Sequence, residues 1–389
     1  MDFRESEERR ALREAVVALG AKYGPEYMRE KASTGGKTTE LWTEAGKLGY
    51  LGVNLPTEYG GGGGGIGDLA AVCEELGAAG CPLLLMVVSP AICGTIISRY
   101  GTDEQKQRWI PPLADGSLTM VFAITEPDAG SNAHRITTTA RRDGDGPDAG
   151  WRLSGQKVFI SGVDEAASVL VVARTEDART GDLKPALYVV PTDAEGVTYQ
   201  QIEMEFPSPE KQFTVFLDNV ALPSGALVGD EDAALLQLFA GLNPERIMAS
   251  AFSLGIARYA LDRSVEYAKN RQVFKQPIGA HQAIAHPLAQ SAIEIEQAKL
   301  LTAKAAWLYE SGDDLAAGEA ANMAKYAAAE AAVRTVDAAV QTHGGNGLTR
   351  EYGIGALLGA ARVARIAPVS REMILNFVAM HTLGLPKSY

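Results

Sequence analysis

The chain has 389 residues and a formal net charge of −12, and 46% of its residues are hydrophobic. This length suits two or three domains with a sizeable core. The acidic balance argues against a nucleic-acid backbone or an anionic membrane as the main partner, because both carry negative charge. A local basic pocket for a phosphorylated ligand is compatible with it.

Targeting signals and metal motifs are not evident. Residues 1–10 are charged and lack the apolar core of a secretory signal. The most apolar stretch, Cys81 to Ile97, is short for a membrane span and predicts buried core. The three cysteines, Cys73, Cys81 and Cys93, match no metal spacing. We therefore expect reduced thiols, no metal site and a cytoplasmic location.

Residues 1–117 are predicted to form a helical N-terminal domain. Apolar residues at helical spacing indicate its first helix: Phe3, Leu12, Val16 and Leu19. Further helices are expected over residues 68–80 and 83–100. Thr102 or Asp103 would cap the next helix, which the Pro111–Pro112 pair would stop.

A run of glycines, residues 60–65, interrupts this helical pattern. Glycine loses the most backbone entropy on ordering, so a flexible loop is expected there. A phosphate cradle is disfavoured, because no strand and no Lys-Ser/Thr helix start flank the run.

Short strands are predicted over residues 118–228. Residues 136–142 and 151–159 flank a Gly-Asp-Gly-Pro-Asp turn, as the arms of a hairpin would. Further apolar runs of strand length follow at residues 169–173, 186–190 and 213–217. Their spacing suits a small barrel or sandwich.

Residues 229–389 return to a helical pattern. Asn243 is expected as an N-cap with Pro244 at the first helical position. Further helices are predicted over residues 284–311, 316–343 and 370–382, and Gly344-Gly345 would end the second of these. Long helices joined by short loops indicate a four-helix bundle, so the predicted fold class is α+β.

The stretch Phe122-Ala-Ile-Thr-Glu-Pro-Asp-Ala-Gly-Ser131 carries the first chemical signal. An apolar run leads into Pro127, which breaks a helix or a central strand. The turn formers that follow can wrap backbone donors around a ligand edge or a phosphate. An ordinary strand-to-turn corner fits the same residues.

The whole string resembles the flavin-binding signature of the acyl-CoA dehydrogenase family, and the resemblance extends over nearly the whole chain. It implies a helical N-terminal domain, a β middle domain, a C-terminal four-helix bundle and FAD as cofactor. In the family these positions place Phe122, Ile124 and Thr125 on the flavin ring, and Ser131 near the pyrophosphate or the acyl-CoA. Asn132 stands where the family usually has Asp.

A second match is Lys157-Val-Phe-Ile-Ser-Gly162. It is similar to the family strand in which an aromatic side chain covers the flavin and a hydroxyl approaches its reactive nitrogen. The resemblance assigns these roles to Phe159 and Ser161, with Ile160 between them in the same cofactor site. A plain strand end is the alternative.

Further matches lie in the C-terminal part. They resemble family segments that contact the flavin across a subunit interface, and the residues concerned are Arg271, Phe274, His281, Gln282, Gln341, Gly344 and Gly345. We also predict that Ser370 belongs to the cofactor site. A solvated charge at Arg271 and a helix C-cap at Gly344-Gly345 are the structural alternatives. The resemblance implies a homo-oligomer, either a tetramer or a dimer.

The base that removes the substrate α-proton must be a carboxylate placed over that carbon. Many family members supply a Glu where this chain has Pro368, and proline cannot act as a base. Isovaleryl- and long-chain-type members use a Glu on a bundle helix before an Arg, which Glu245 and Arg246 match. Asn243 and Arg246 are assigned to substrate binding.

Glu245 also has a structural interpretation. At the first turn of a helix an acidic side chain is favoured by the macrodipole, which would lower its pKa. Apolar burial would have to raise that pKa for a base near neutral pH. Glu126, inside the first motif, is expected to be structural.

The resemblance implies an FAD-dependent acyl-CoA dehydrogenase that forms a trans-2-enoyl-CoA and passes electrons to an electron-transfer flavoprotein. Two alternatives keep the fold: a flavin oxidase or monooxygenase, and a dehydrogenase of carrier-protein-bound acyl groups. A low-turnover flavoprotein that acts as an assembly factor is the alternative of another class. The sequence does not define the acyl chain.

Overall fold

The protein is described by a computed structural model that covers residues 4–146, 148–176, 181–229 and 234–387. Helices come first, strands follow, and helices return, so the predicted α+β class is confirmed. The family resemblance had implied this same order of a helical, a β and a helical domain.

The N-terminal part is helical as predicted. Its helices are α1 Glu7–Thr34, α2 Thr39–Lys47, α3 Ile66–Ala78, α4 Leu85–Val88, α5 Thr95–Tyr100 and α6 Asp103–Ala114, with a π-helical segment, Ser89–Gly94, between α4 and α5. Val16 and Leu19 are buried on the inner face of α1, whereas Phe3 lies outside the described residues. The apolar stretch that includes Cys81 and Ile97 is core, as expected.

Helix α6 does not stop at Pro111, so that prediction was wrong. Thr102 caps it: its hydroxyl accepts from the Gln105 N–H at 3.3 Å, and its own N–H donates back at 3.0 Å. The helix continues to Ala114. The carbonyls that the two prolines leave without a donor belong to exposed residues, 107 and 108, where water can bind them.

The glycine run forms neither helix nor strand, but it is not the open loop that the sequence predicts. The N–H groups of Gly62, Gly63 and Gly64 donate to backbone carbonyls of residues 52–55 at 2.8–2.9 Å. A Cβ on Gly61 would lie 2.2 Å from the Leu55 carbonyl oxygen. The run therefore packs backbone against backbone, and glycine is needed for that close approach.

The middle domain is one sheet with the strand order β6-β7-β3-β2-β4-β5-β8, and β1 pairs in parallel with β4. Its strands are β1 Met120–Ala123, β2 Thr139–Asp143, β3 Gly150–Ser161, β4 Ser168–Glu176, β5 Leu183–Pro191, β6 Val197–Ile202, β7 Gln212–Leu222 and β8 Leu227–Val228. The predicted hairpin is β2–β3, which pair antiparallel. β6 and β8 were not predicted.

The C-terminal part consists of helices that pack around three long ones. They are α7 Ala234–Asn270, α8 Gln282–Glu310, α9 Asp314–His343, α10 Leu357–Val363 and α11 Arg371–Phe377. A short hairpin, β9 Gln272–Val273 with β10 Gln276–Pro277, joins α7 to α8. The fourth predicted bundle helix is the short α11, followed by a π-helical turn, Val378–Thr382.

The prediction that Asn243 caps a helix was wrong. Pro244 lies inside α7, where it cannot donate to the carbonyl four residues earlier, that of Ala240. The Tyr309 hydroxyl on α8 donates to this carbonyl instead, at 3.1 Å. A partner from a neighbouring helix thus compensates the proline, and α7 runs on through the predicted site.

A buried charge network fastens the N-terminal domain to α7. Arg13 of α1 lies 2.6 Å from Glu75 of α3, and Arg258 of α7 lies 2.8 Å from the same carboxylate. Glu74 joins both arginines. The helix that carries Glu245 is therefore fixed against the preceding domain.

Candidate active site

The first site motif leaves β1 and meets β3. The Val158 N–H donates to the Thr125 carbonyl at 2.9 Å, and the Lys157 ammonium donates to the Ile124 carbonyl at 3.0 Å. Phe122 is buried, and Ile124 and Thr125 are half-buried. The two sequence motifs thus meet at one corner of the sheet.

Glu126 is structural, as predicted. Its carboxylate accepts from the backbone N–H groups of Thr137 and Thr138 at 2.6 and 3.0 Å and from Lys157 at 2.8 Å. Burial alone would raise its pKa, but these hydrogen bonds hold it at about 2. It stays ionised and cannot serve as a base near neutral pH.

Phe159 is the unusual residue of this corner. The register of β3 shifts between Lys157 and Ile160, and Phe159 takes a φ of 58° while 58% of its surface is exposed. A non-glycine residue in this conformation costs about 1–3 kcal/mol, and such strain concentrates at ligand sites. Ile160 is buried, and the Ser161 hydroxyl pairs with the Gln212 amide at 2.9 Å.

The C-terminal residues that were predicted to bind the cofactor are separate from this corner and exposed or half-buried. Phe274 is 88% exposed at the tip of the β9–β10 hairpin with a φ of 53°. Among the described ranges, no hydrogen bond or ion pair joins this group to the corner around Phe159. The remaining members are exposed or half-buried: Arg271, His281, Gln282, Gln341, Gly344 and Gly345.

Tyr267 connects the two segments of the exposed group, and sequence reasoning missed it. Its carbonyl accepts from the Arg271 N–H at 2.9 Å, and its hydroxyl accepts from Asn346 at 3.0 Å. Its ring stacks on His343 at 4.3 Å. His343 is buried and packed, as expected. Gly344 caps α9 at φ 58°, as the C-cap interpretation predicts.

Two serines of the predicted site lie at turns. Ser370 is the N-cap of α11, where its hydroxyl accepts from the Met373 N–H at 3.3 Å. Ser131, the last residue of the first motif, is exposed. Both hydroxyls therefore lie at the surface of this chain or close to it.

Glu245 lies in the interior of α7, not at a helix start, so the predicted effect of the macrodipole does not apply. Within the described residues, no hydrogen-bond donor or ion-pair partner is bound to its carboxylate. Burial raises its pKa to about 7, although the positive charges of Arg246 and Lys325 oppose that shift. A carboxylate with this pKa is poised for proton transfer near neutral pH.

Asn243 and Arg246 occupy the adjacent turn of α7. The Asn243 amide is buried and donates to the Asp314 carbonyl at 3.1 Å. An Arg246 terminal nitrogen donates to the Leu242 carbonyl at 3.1 Å, while its buried Nε has no hydrogen-bond partner. Arg246 therefore retains a donor for a ligand, whereas the Asn243 side chain supports the fold.

Two further groups face Glu245 and were not predicted. The charge of Glu245 adds to the burial that raises the pKa of the Cys93 thiol, and Cys93 lies in the π-helical segment. Lys325 approaches from α9 and is only 1% exposed. In the sequence Lys325 is one lysine of an alanine-rich helix, so its burial near the predicted site is evident only from the packing of the folded chain.

The described residues contain no cluster of three or more His, Cys, Asp or Glu side chains that could hold a metal ion. Over the same part of the chain, no helix is both long and apolar enough to cross a membrane. The three cysteines are buried and free.

These features define a class: a helical, β and helical chain with a strained aromatic corner and a half-buried carboxylate of raised pKa. Three family descriptions match it: "Acyl-CoA dehydrogenase, N-terminal domain" over residues 6–117, "middle domain" over 121–220 and "C-terminal domain" over 236–383. The chain belongs to the acyl-CoA dehydrogenase family. It is an FAD-dependent oxidoreductase.

Individual proteins agree with this assignment. The chain is 66% identical over 387 residues to "Acyl-CoA dehydrogenase FadE12" of Mycobacterium tuberculosis, covering 100% of this chain and 99% of that protein. Among solved structures, butyryl-CoA dehydrogenase from Megasphaera elsdenii superposes with a TM-score of 0.91 at 27% identity, covering 98% and 100% of the two chains. A chain from work on the electron transferring flavoprotein of Acidaminococcus fermentans gives 0.91 at 28% identity and the same coverage.

A third solved structure contains the reduced cofactor. It is a glutaryl-CoA dehydrogenase from Mycobacterium smegmatis in complex with FADH2, with a TM-score of 0.89 at 27% identity, covering 99% of this chain and 96% of that one. The present chain fits such a group, because Phe159 is held exposed in a strained conformation beside a hydroxyl, that of Ser161.

Proposed function

We propose that this enzyme removes the α-proton and β-hydride of a saturated acyl-CoA to give a trans-2-enoyl-CoA, with Glu245 as the base. The observation that carries the proposal is the half-buried Glu245 carboxylate, which has no hydrogen-bond partner among the described residues and a pKa raised to about 7. When bound, FAD supplies the acceptor for the hydride. An electron-transfer flavoprotein is the proposed acceptor, and the Acidaminococcus neighbour supports this choice.

The chain's own residues supply binding and orientation. Phe122, Ile124 and Thr125 would line the flavin from β1, and Phe159, Ile160 and Ser161 from the end of β3. Glu126 and Lys157 hold these two strand ends together through their ion pair. Ser131 and Arg246 would bind the CoA part, with the unpartnered Arg246 Nε as a donor.

The thioester carbonyl needs donors that polarise it. The loop that carries Pro368 occupies the position from which many family members supply a Glu, and proline has no N–H to donate. Glu245 on α7 is therefore the acid that this chain offers in its place, as in isovaleryl- and long-chain-type members. A branched or longer acyl group is the substrate this similarity favours.

The exposed face of α8 supports a homo-oligomer. Ile293, Leu300 and Trp307 recur every seven residues and are 60%, 46% and 64% exposed. A helix face of this kind is stable in water when it packs against another apolar surface. We propose a second copy of this chain as that surface, and Glu296 and Lys304, both exposed beside the stripe, provide opposite charges for a two-fold contact. The exposed group around Phe274 would then reach the neighbouring subunit's flavin.

The test is an anaerobic titration of the purified holoenzyme with straight, branched and cyclic saturated acyl-CoAs, followed at the flavin absorption band. Bleaching by some members of the panel is the expected result. Glu245→Gln should slow bleaching by about 10²–10⁴-fold, the range of general-base catalysis. Glu351→Gln, an exposed carboxylate, is the matched control and should react as the wild type does. A yellow protein that no thioester bleaches would overturn the proposal.

A further inference from the structure

Lys325 is a buried lysine without a carboxylate partner. Its side chain is almost completely enclosed, and its ammonium donates to the Val369 carbonyl at 2.6 Å. No Asp or Glu in the described part of the chain lies within ion-pair distance of it. A charged amine is costly to bury, so its retention needs a compensating interaction.

The carbonyl that Lys325 binds belongs to the loop between α10 and α11. Glu330, one turn further along α9, holds both ends of this loop, at 2.8 Å from Arg365 and 3.1 Å from Arg371. Helix α9 thus contacts both ends of the loop through Glu330 and the residue after Pro368 through Lys325. This is the loop that carries Pro368.

The charge of Lys325 also acts on the proposed base. Glu245 faces Arg246 from its own helix, Lys325 from α9 and the neutral Cys93 thiol from the π-helical segment. Arg246 acts on Lys325 with a like charge, and Glu372 and Glu330 act on it with opposite charges, but Glu330 is already paired with three arginines, Arg334, Arg365 and Arg371. The charge of Lys325 therefore acts on the base, while its hydrogen bond acts on the loop.

We propose that Lys325 is a positioning residue that holds the Pro368 loop and the Glu245 carboxylate in one arrangement through a single buried cation. The inference rests on the proposed function of Glu245. The hydrogen bond from Lys325 to the Val369 carbonyl fixes the position of the loop, and the charge of Lys325 favours the ionised form of the base. Removing the Lys325 ammonium should therefore loosen the Pro368 loop and make Glu245 harder to ionise.

The two roles can be separated by three substitutions at Lys325. Met removes the charge and the donor, Gln removes the charge but keeps a donor, and Arg keeps both. Burial lowers the pKa of Lys325 to about 8, so the wild-type group is largely charged at neutral pH. The comparison is therefore made at pH 6 to 8.

The first measurement is the pH dependence of the flavin bleaching rate with the best acyl-CoA of the panel. Lys325→Met and Lys325→Gln should both move the apparent pKa of the base upward by about one unit, the usual effect of losing a nearby opposite charge. Lys325→Arg should keep the wild-type profile. The second measurement is hydrogen exchange of residues 365–371, which should quicken in Lys325→Met more than in Lys325→Gln.

Folded, yellow Lys325→Met and Lys325→Gln proteins with a wild-type pH profile and wild-type loop exchange would overturn the inference. If Lys325→Met does not fold, the Gln and Arg variants decide the question alone. Glu245→Gln separates this outcome from failure of the proposed function. If that variant bleaches at the wild-type rate, Glu245 is not the base. If it fails to bleach while the Lys325 variants behave as wild type, only the positioning role is wrong.

Discussion

The Lys157 ammonium lies 2.8 Å from the Glu126 carboxylate, and both side chains are shielded from water, at 0% and 4% exposure. This pair joins the turn that follows β1 to the strand that carries Phe159 and Ser161. Because its two ends belong to the two motifs predicted to bind the cofactor, the pair supports the geometry of the corner as well as its stability.

Removing one member of this pair should be strongly destabilising. Lys157→Met leaves an uncompensated buried carboxylate, which costs about 3–5 kcal/mol, and the Lys157→Met/Glu126→Gln double variant should recover part of that loss. Urea unfolding followed by circular dichroism measures both. Lys22→Met is the control, because its 2.7 Å pair with Glu44 is on the surface and should contribute less than about 1 kcal/mol. Equal losses in Lys157→Met and Lys22→Met would contradict this account.

The rate of flavin bleaching should rise with pH between about 6 and 8. Glu245 acts as a base only when ionised, and burial raises its pKa to about 7. At pH 6 the rate should therefore be about tenfold below its plateau at high pH. Stopped-flow mixing with a saturating acyl-CoA measures this limb. A flat profile from pH 5.5 to 8 would exclude Glu245 as the titrating group.

The half-buried Glu165 of the middle domain, which lies close to the buried Glu210, should make the stability of the protein fall as pH rises. Burial, and then the neighbouring Glu210, raises the pKa of Glu165 to about 7. The folded state therefore binds a proton more tightly than the unfolded chain, and that contribution is lost as pH rises through about 7. Glu165→Gln should stabilise the protein by about 1–3 kcal/mol at pH 8 and have little effect at pH 4.

Thermal unfolding at the two pH values measures the difference. Asp164→Asn is the matched control, since Asp164 lies 3.3 Å from the Lys37 ammonium and should lose stability instead. A Glu165→Gln variant that is no more stable than wild type at pH 8 would refute the assignment.

The exposed stripe on α8 gives a prediction about assembly. Placing a charge at Ile293 or Trp307 should bury an unpaired charge in the proposed contact and lower the molar mass in solution. Size-exclusion chromatography with light scattering measures this for Ile293→Glu and Trp307→Glu. Leu315→Glu, at a leucine that is 90% exposed on α9, should leave the mass unchanged. An unchanged mass in both α8 variants would place the contact elsewhere.

The elements that the sequence predicts well are those with a local signal. Val16 and Leu19 follow the helical period, and the Gly-Asp-Gly-Pro-Asp turn lies between two strand-like runs, so α1 and the β2–β3 hairpin were predictable. The corner motifs were recognisable because their residues are contiguous. The start of the last helix near Ser370 was also predictable, because the hydrogen bond that caps it, from the Met373 N–H to the Ser370 hydroxyl, is local in sequence.

The errors come from partners distant in sequence. Pro244 reads as a helix start, and the tyrosine that compensates it, Tyr309, is 65 residues away on another helix. For the same reason the sequence predicted that a helix start would lower the pKa of Glu245, whereas Glu245 lies in the interior of α7. The burial of Lys325 has no local signature, because it depends on the α10–α11 loop.

The glycine run of residues 60–65 has a consequence for natural variation. A side chain at Gly61 would meet the Leu55 carbonyl and one at Gly62 would meet the Val53 backbone, whereas one at Gly65 would displace the Glu310 carboxylate. The Glu310 carboxylate also accepts a hydrogen bond from the Gly67 N–H, so the end of α8 contacts the start of α3. Although the glycine run has the composition of a low-complexity linker, a mutational scan should find few permitted residues in it. Insertions or deletions there would shift α3 relative to α8.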